Sequence, residues 1–186
     1  METIIHEPFE GAGGDDNSFF RRISWCPDGK YICVTNAVKG PRQVASIVTR
    51  GKWTSAIQFV GHESTVVASS FCGRLFAPAS SKGTSAQNAF CYCAVASMDS
   101  TVSIWSTNRS RPLVIVQNLF ERSVSDIAWN NDNGKTLFVT GTDGTLACLH
   151  FGEGEIGAIQ DRKDQKELLR KLYGEVGISS SDIIES

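Results

Sequence analysis

Apolar and polar residues alternate along most of this chain in short runs, and turn-forming residues separate the runs. The stretch ISWCPDGKYICV predicts two strands, joined by a reversal at Pro27, Asp28 and Gly29. Further runs rich in β-branched residues predict strands in the same way: QVASIVTR, STVVASSF, RPLVIVQNLF, SVSDIAW, TLFVTGT and GTLACLHF. The pattern is therefore typical of an all-β fold.

Three segments depart from this pattern. Charged residues and leucines recur at helical spacing from Asp161 to Gly174, which predicts one short helix that ends at the glycine. The Ser- and Gly-rich segment from Arg74 to Phe90 has no period, and we interpret it as a long surface loop. The polar end of the chain, residues 176–186, predicts a flexible tail.

The strand pattern repeats within the chain. SMDSTVSI and TDGTLACL align with Asp99 on Asp143, 44 residues apart. Three related strand ends, at Trp25, Phe71 and Trp129, are separated by 46 and 58 residues, and the longer step contains the unpatterned loop. A period in the forties with about four strands per unit is typical of β-propeller blades.

The middle unit carries polar residues at the spacing of a WD40 repeat. A GH dipeptide ends at His62, Asp99 lies in a tight turn, and Trp105 ends a strand. Ser106 stands where the WD40 pattern has Asp after the tryptophan. The resemblance implies a buried network in which Asp99 orients the His62 imidazole. Ser97 supplies a bridging hydroxyl and the indole N–H of Trp105 is satisfied, because an unpaired buried polar group costs ~1–3 kcal/mol.

The same residue types also allow a hydrolase interpretation, with Ser97, His62 and Asp99 as a catalytic triad. The repeat accounts for each of these residues, and the sequence has no nucleophile elbow. We therefore predict a structural network and a protein that is not an enzyme. We predict no catalytic, cofactor-binding or metal-binding residue.

The other two units lack this polar set. In the last unit Phe120 stands in the place of His62 and Leu149 in that of Trp105, whereas Asp143 is kept. The first unit has NAVKGPRQ in place of the second turn. The complete network is therefore predicted in the middle unit alone.

These units predict a partial WD40-type β-propeller, an all-β fold with about three four-stranded blades and a short C-terminal helix. The blades are expected within residues 1–152, with approximate boundaries 1–53, 54–107 and 108–152, followed by a helical extension (153–175) and the tail (176–186). Three blades cannot close a ring, because propellers have about four to eight. We therefore expect the sequence to be a piece of a longer propeller.

Composition and charge narrow the classes of function. The net charge of −2 gives no basic field that could hold a nucleic-acid backbone. No apolar run approaches the ~20 residues needed to span a bilayer. The N-terminus lacks the features of a secretory signal. We expect neither specific nucleic-acid binding nor a membrane partner.

The six cysteines are too few for a disulfide scaffold, and we expect a reducing compartment. Cys91 and Cys93 alternate with Tyr92, so the two thiols share one face of a strand. Their spacing is not that of a zinc knuckle, and Cys72 alone does not complete a tetrahedral site. We interpret these cysteines as buried apolar residues.

Several segments, in the same order, resemble the later propeller blades of the HIRA histone-chaperone family: EPFEGAGG, RISWCPDGKYI, QVASIVTRGKW, CYCAVASMDSTVSIW, RPLVIVQNLFERSVSDIAW and GTDGTLACLHFGEGEIG. The resemblance runs from about Glu2 to Gly174. The order of the segments, the position of the long loop and the Cys-Tyr-Cys before a strand make it specific.

The resemblance implies a non-enzymatic scaffold subunit in the nucleus. Its complex deposits a histone H3 variant with H4 independently of replication and often represses transcription. The chain would cover blades five to seven of a seven-bladed propeller that docks ubinuclein-like subunits, with histones H3–H4 bound through the complex. The resemblance assigns no individual binding residue. The alternative is a generic WD40 adaptor, such as a ubiquitin-ligase receptor, a trafficking module or the propeller subunit of the replication-coupled chromatin assembly factor.

Overall fold

The computed structural model of the chain describes residues 4–9, 21–78, 89–152 and 154–174. These residues form thirteen strands and one helix. Their bounds are β1 Ser24–Trp25, β2 Tyr31–Lys39, β3 Arg42–Thr49, β4 Thr54–Phe59, β5 Val66–Phe71, β6 Phe76–Ala77, β7 Tyr92–Ser97, β8 Val102–Ser106, β9 Val114–Val116, β10 Val124–Trp129, β11 Thr136–Gly141, β12 Leu146–His150, β13 Ala158–Ile159 and α1 Arg162–Tyr173. The all-β prediction is confirmed.

Consecutive strands pair into three antiparallel sheets. The first has the order β1-β2-β3-β4, the second β5-β7-β8-β9 and the third β10-β11-β12, while β6 and β13 form a separate pair. The repeat places β4 at the start of the second unit, yet β4 pairs with β3 and closes the first sheet. β9 closes the second sheet in the same way. These two sheets therefore take their last strand from the segment that begins the next sequence unit.

The first hairpin follows the predicted reversal. Trp25 of β1 lies opposite Ile32 of β2, and the intervening residues form the turn. One oxygen of the Asp28 carboxylate accepts the backbone N–H of Lys30 at 3.2 Å. Gly29 has a φ of 69°, a conformation that side chains with a Cβ rarely adopt. The Pro-Asp-Gly sequence thus closes the turn by local chemistry.

The second sheet lies between the other two and is buried on both faces. All six residues of β7 are buried. Because side chains alternate along a strand, Cys93 and Val95 pack with residues of the first sheet, whereas Ala94 and Ala96 pack with residues of the third. This two-sided burial explains why CYCAVAS is an unbroken run of small and apolar residues.

Hydrogen bonds between side chains and backbone also join the sheets. The Ser69 hydroxyl of β5 donates to the carbonyl of Cys33 in the first sheet at 3.2 Å. The indole N–H of Trp129 in the third sheet donates to the carbonyl of Ser70 at 2.9 Å. β5 therefore contacts both neighbouring sheets.

Large apolar side chains are exposed on both outer sheets. Ile23 and Trp25, at the start of the first sheet, are 60% and 47% exposed. Phe138 and Leu146 of the third sheet are 40% and 64% exposed. In the middle sheet, β5, β7 and β8 expose no such side chain, whereas Ile115 of its edge strand β9 is 52% exposed.

The predicted helix is confirmed, and it packs across the first two sheets. The Asp161 side chain caps its N-terminus by accepting the N–H of Lys163 at 2.8 Å, and Gly174 ends it. Leu168 is buried in the cluster between the first and second sheets. The Tyr173 hydroxyl donates to the carbonyl of Asp28 at 2.8 Å. Among the described residues, no helix is both long enough and apolar enough to cross a membrane.

The interpretation of Arg74–Phe90 as a surface loop is wrong at both ends. Phe76 is fully buried and Phe90 is 6% exposed, and their rings stack with centroids 6.1 Å apart. β6 pairs with β13, a contact between distant segments that no local period reveals. Residues 79–88 and the predicted tail lie outside the described residues.

Candidate functional site

The predicted polar network centres on a serine of the second sheet. His62 lies in the segment before β5, and its Nε2 is 2.8 Å from the hydroxyl oxygen of Ser103. The indole Nε1–H of Trp105 donates to the same oxygen, also at 2.8 Å. His62 and Ser103 are 5% and 3% exposed, so water cannot replace either partner. One hydroxyl thus satisfies two buried ring nitrogens.

Asp99 completes the network from the turn between β7 and β8. Its carboxylate oxygen Oδ1 lies 3.5 Å from Nδ1 of His62, a contact longer than an ordinary hydrogen bond. Because a carboxylate can only accept, we assign the imidazole proton to Nδ1. Nε2 then accepts the Ser103 hydroxyl proton, and Ser103 in turn accepts from Trp105. Donors and acceptors therefore match at Ser103, whereas the contact between Nδ1 and Asp99 is too long for a hydrogen bond.

Asp99 also holds two backbone groups. Its Oδ2 accepts the N–H of Glu63 at 2.8 Å, and its Oδ1 accepts the N–H of Thr101 at 3.0 Å. Partial burial alone would raise the pKa of Asp99, but the contact with His62 and these two N–H groups outweigh it. The pKa of Asp99 is lowered to about 2. The carboxylate therefore stays charged across the physiological range.

The bridging position is occupied by Ser103 and not by Ser97, the residue predicted from the sequence. Ser97 is fully buried at the end of β7, and its hydroxyl accepts the N–H of Asp99 at 3.4 Å. Ser103 lies two residues before Trp105 on β8, so both side chains point to the same face. His62, Asp99 and Trp105 are brought together, with Ser103 as the member that the sequence analysis missed.

The internal repeat contains a signal for Ser103. The shift that aligns Asp99 with Asp143 places Ser103 on Ala147. The last unit therefore replaces the histidine, the bridging serine and the tryptophan together, by Phe120, Ala147 and Leu149. A polar residue that disappears with its hydrogen-bond partners is a candidate member of their network.

Asp143 in the third sheet keeps the backbone contacts of Asp99. Its Oδ2 accepts the N–H of Glu121 at 3.1 Å, and its Oδ1 accepts the N–H of Thr145 at 3.0 Å. The Thr145 hydroxyl also donates to this carboxylate, and these hydrogen bonds lower the pKa of Asp143. The aspartate therefore closes the turn in both sheets, whether or not a histidine is present.

The network lies between the first and second sheets. The Trp105 ring stacks on Phe59 of β4, with ring centroids 4.5 Å apart and an interplanar angle of 12°. Ser103, His62 and Asp99 have the connectivity of a hydrolase triad. However, the Ser103 hydroxyl is buried and already accepts the indole N–H, so it offers no accessible nucleophile. The geometry is suited to holding two sheets together.

A polar groove opens beside the network. It has a volume of about 520 Å³ and is lined by Pro41 in the turn before β3, by Arg42 and Gln43 at the start of β3, and by the segment Gly61–Thr65. A further group of metal-ligating side chains, Cys26, Asp28 and Cys91, is buried between the same two sheets.

Comparison with known proteins identifies relatives along nearly the whole chain. No protein-family model matches it. The chain is 40% identical over 177 residues to Protein HIR1 of Gibberella zeae and 38% identical over 180 residues to that of Chaetomium globosum. It is 33% identical over 184 residues to Protein HIR1 of Kluyveromyces lactis. Each alignment covers 94% of this chain. Over this length the chain is similar in sequence to the HIR1 proteins.

The similarity concerns one segment of those relatives. The chain spans 16% of the Gibberella and Chaetomium HIR1 proteins and 21% of the Kluyveromyces HIR1 protein. The aligned length includes all three sheets and the helix of this structure.

Proposed function

We propose that this chain is part of a WD40-type β-propeller in a HIR1-like scaffold protein. Consecutive antiparallel sheets that pack face to face, with β5 of the second sheet contacting both neighbours, support this arrangement. The exposed Ile23 and Trp25 on one side, and Phe138 and Leu146 on the other, fit surfaces that further blades cover.

The protein acts as a non-enzymatic subunit of a nuclear histone chaperone complex. The complex assembles nucleosomes independently of DNA replication and represses transcription. The observation that carries the proposal is the identity of 33–40% to HIR1 proteins over 94% of the chain. The buried and fully occupied Ser103 hydroxyl supports a scaffold in preference to a hydrolase.

The partners are other proteins of the complex. A ubinuclein-like subunit docks on the propeller, and histones H3–H4 are bound through the assembled complex. The net charge of −2 supports protein contacts over direct binding to a nucleic-acid backbone.

The test is purification of the tagged full-length protein from nuclear extract, with partners identified by mass spectrometry. We expect histones H3 and H4 and a ubinuclein-like subunit. A matched variant, Trp105→Ala, removes the ring that joins the first two sheets and should lose partners that dock on the propeller. Recovery of a ubiquitin ligase, a trafficking coat or the replication-coupled assembly factor in their place would contradict the proposal and favour a generic WD40 adaptor.

A further inference from the structure

Two thiols and a carboxylate converge between the first two sheets. Cys26 follows β1, Asp28 lies in the turn before β2, and Cys91 precedes β7 of the second sheet. Their ligand atoms all lie within 4.8 Å of one another, and the three residues are 3%, 3% and 1% exposed. We propose that Cys26, Asp28 and Cys91 bind a thiophilic divalent metal ion of the zinc type.

The ligand set and its dimensions fit such an ion. Zn²⁺ in proteins takes thiolate, imidazole and carboxylate ligands in a tetrahedron. Bond lengths of about 2.0–2.3 Å place neighbouring ligand atoms about 3.5–3.8 Å apart. The separations here lie within 4.8 Å. To reach this geometry, the Cys26 sulfur and Oδ1 of Asp28, now 2.6 Å apart, would move apart by about 1 Å to admit the ion. A small molecule such as water takes the fourth position.

Without an ion, the three groups form a chain of hydrogen bonds. The Cys26 thiol donates to Oδ1 of Asp28 at 2.6 Å, and the backbone N–H of Tyr31 donates to the Cys26 sulfur at 3.0 Å. Hydrogen bonding to Cys26 and burial raise the pKa of Cys91. The Cys26 thiol is thus a hydrogen-bond donor, and the raised pKa of Cys91 favours its protonated form.

Metal binding exchanges two protons for one ion. The balanced step is M²⁺ + 2 RSH → M(SR)₂ + 2 H⁺, with no change of oxidation state. Two thiolates, the Asp28 carboxylate and the ion together carry one negative charge. The Lys30 ammonium lies 3.2 Å from Oδ2 of Asp28 and balances that charge, which limits the cost of burying it.

The ion would join three elements of the fold. Cys26 and Asp28 belong to the first sheet and Cys91 to the second, so coordination links the sheets. The helix lies beside this site, since Leu168 belongs to the same buried cluster as both cysteines and the Tyr173 hydroxyl donates to the carbonyl of Asp28. The proposed ligands lie at positions 26, 28 and 91, and Cys93 is not one of them. The spacing between Cys91 and Cys93 therefore could not reveal this site from the sequence.

A disulfide between Cys26 and Cys91 is the competing chemistry. All six cysteines are free. Both thiols are buried and the pKa of Cys91 is raised, which slows reaction with oxidants, whereas Cys148 is exposed. The carboxylate of Asp28 has no role in a disulfide but is a ligand for a metal. The geometry therefore favours coordination over oxidation.

The first test is titration of the full chain, kept reduced, with Co²⁺ as a spectroscopic substitute for Zn²⁺. We expect a sulfur-to-cobalt charge-transfer band with a stoichiometry of one ion, release of about two protons, and displacement by Zn²⁺. Cys26→Ser and Cys91→Ser should abolish the band. The matched controls are Cys72→Ser, a buried thiol of the other core cluster, and Cys148→Ser, an exposed thiol. Both should keep it.

The second test needs no variant and remains decisive if the cysteine variants do not fold. The wild-type chain is alkylated in mild denaturant with and without Zn²⁺, and each cysteine is quantified by mass spectrometry. Zn²⁺ should slow the labelling of Cys26 and Cys91 at least tenfold more than that of Cys72. Equal labelling with and without Zn²⁺, or a cobalt band that persists in Cys91→Ser, would overturn the proposal. Loss of the band in Cys148→Ser alone would do so too.

Discussion

Replacing Ser103 by alanine is the most direct perturbation of the polar network. The hydroxyl oxygen of Ser103 contacts Nε2 of His62 and Nε1 of Trp105, each at 2.8 Å. Alanine removes one oxygen atom and leaves both ring nitrogens without this partner. His62 and Trp105 are 5% exposed, so solvent cannot take the place of the hydroxyl unless the two sheets separate.

The expected loss of stability follows from these two unpaired groups. A buried polar group that loses its partner costs about 1–3 kcal/mol. The cavity left by a single oxygen atom is small, and partial relaxation of the rings recovers part of the loss. We therefore expect Ser103→Ala to lower the free energy of unfolding by about 2–4 kcal/mol. With a urea m-value of about 2 kcal/mol/M, the midpoint would fall by about 1–2 M.

Equilibrium urea unfolding of the full-length protein, followed by tryptophan fluorescence, measures this change. The matched control is Ser125→Ala, since the exposed Ser125 hydroxyl also pairs with a side chain, that of Thr140 at 2.8 Å. Water replaces that contact, and we expect a change below about 0.5 kcal/mol. If Ser103→Ala and Ser125→Ala shift the midpoint equally, Ser103 does not satisfy the two rings and the network is misassigned.

Three further predictions concern the charge of Asp99, the packing of the helix α1, and the joint replacement of the buried network residues. Because the pKa of Asp99 is lowered from its ordinary value to about 2, its contribution is present above about pH 4 and is lost as the pH falls towards 2. Asp99→Asn should therefore show a smaller acid-induced loss of stability in thermal unfolding, and an unchanged acid profile would contradict the assignment. Tyr173→Phe removes the hydrogen bond to Asp28 and should cost about 0.5–1.5 kcal/mol, detected as faster hydrogen exchange in the helix. Replacement of His62, Ser103 and Trp105 together by Phe, Ala and Leu should cost less than the sum of the three single changes in urea unfolding; strict additivity would show that the residues act independently.

Local chemistry determined the features that the sequence predicted well. The first turn follows from Pro27, Asp28 and Gly29, whose φ preferences and side-chain hydrogen bond act within a few residues. The helix bounds follow from Asp161 and Gly174, which cap it as the sequence indicated. The strands follow from alternation, because one buried face imposes a period of two.

Contacts between distant segments determined the features that the sequence did not predict. Phe76 is buried because β6 pairs with β13, about eighty residues later in the chain. Cys26 and Cys91 meet because the first sheet packs on the second. Ser103 was missed because Ser97 and Ser103 both lie on strands near Asp99. Only the path of β8 in the folded chain shows that Ser103 is the serine that contacts His62 and Trp105. Alternation specifies which residues are buried but not which partners they contact.

The third sheet shows why the network is present or absent as a whole. Phe120, Ala147 and Leu149 stand in the positions of His62, Ser103 and Trp105, yet Asp143 retains the two backbone contacts that Asp99 makes. Losing one polar partner leaves the others unpaired in the interior, whereas replacing all of them by apolar groups leaves no unpaired donor or acceptor. Asp143 is retained because the turn needs a carboxylate whether or not the histidine is present. The turn and the buried network are therefore separate functions of one residue, and only the second depends on the histidine.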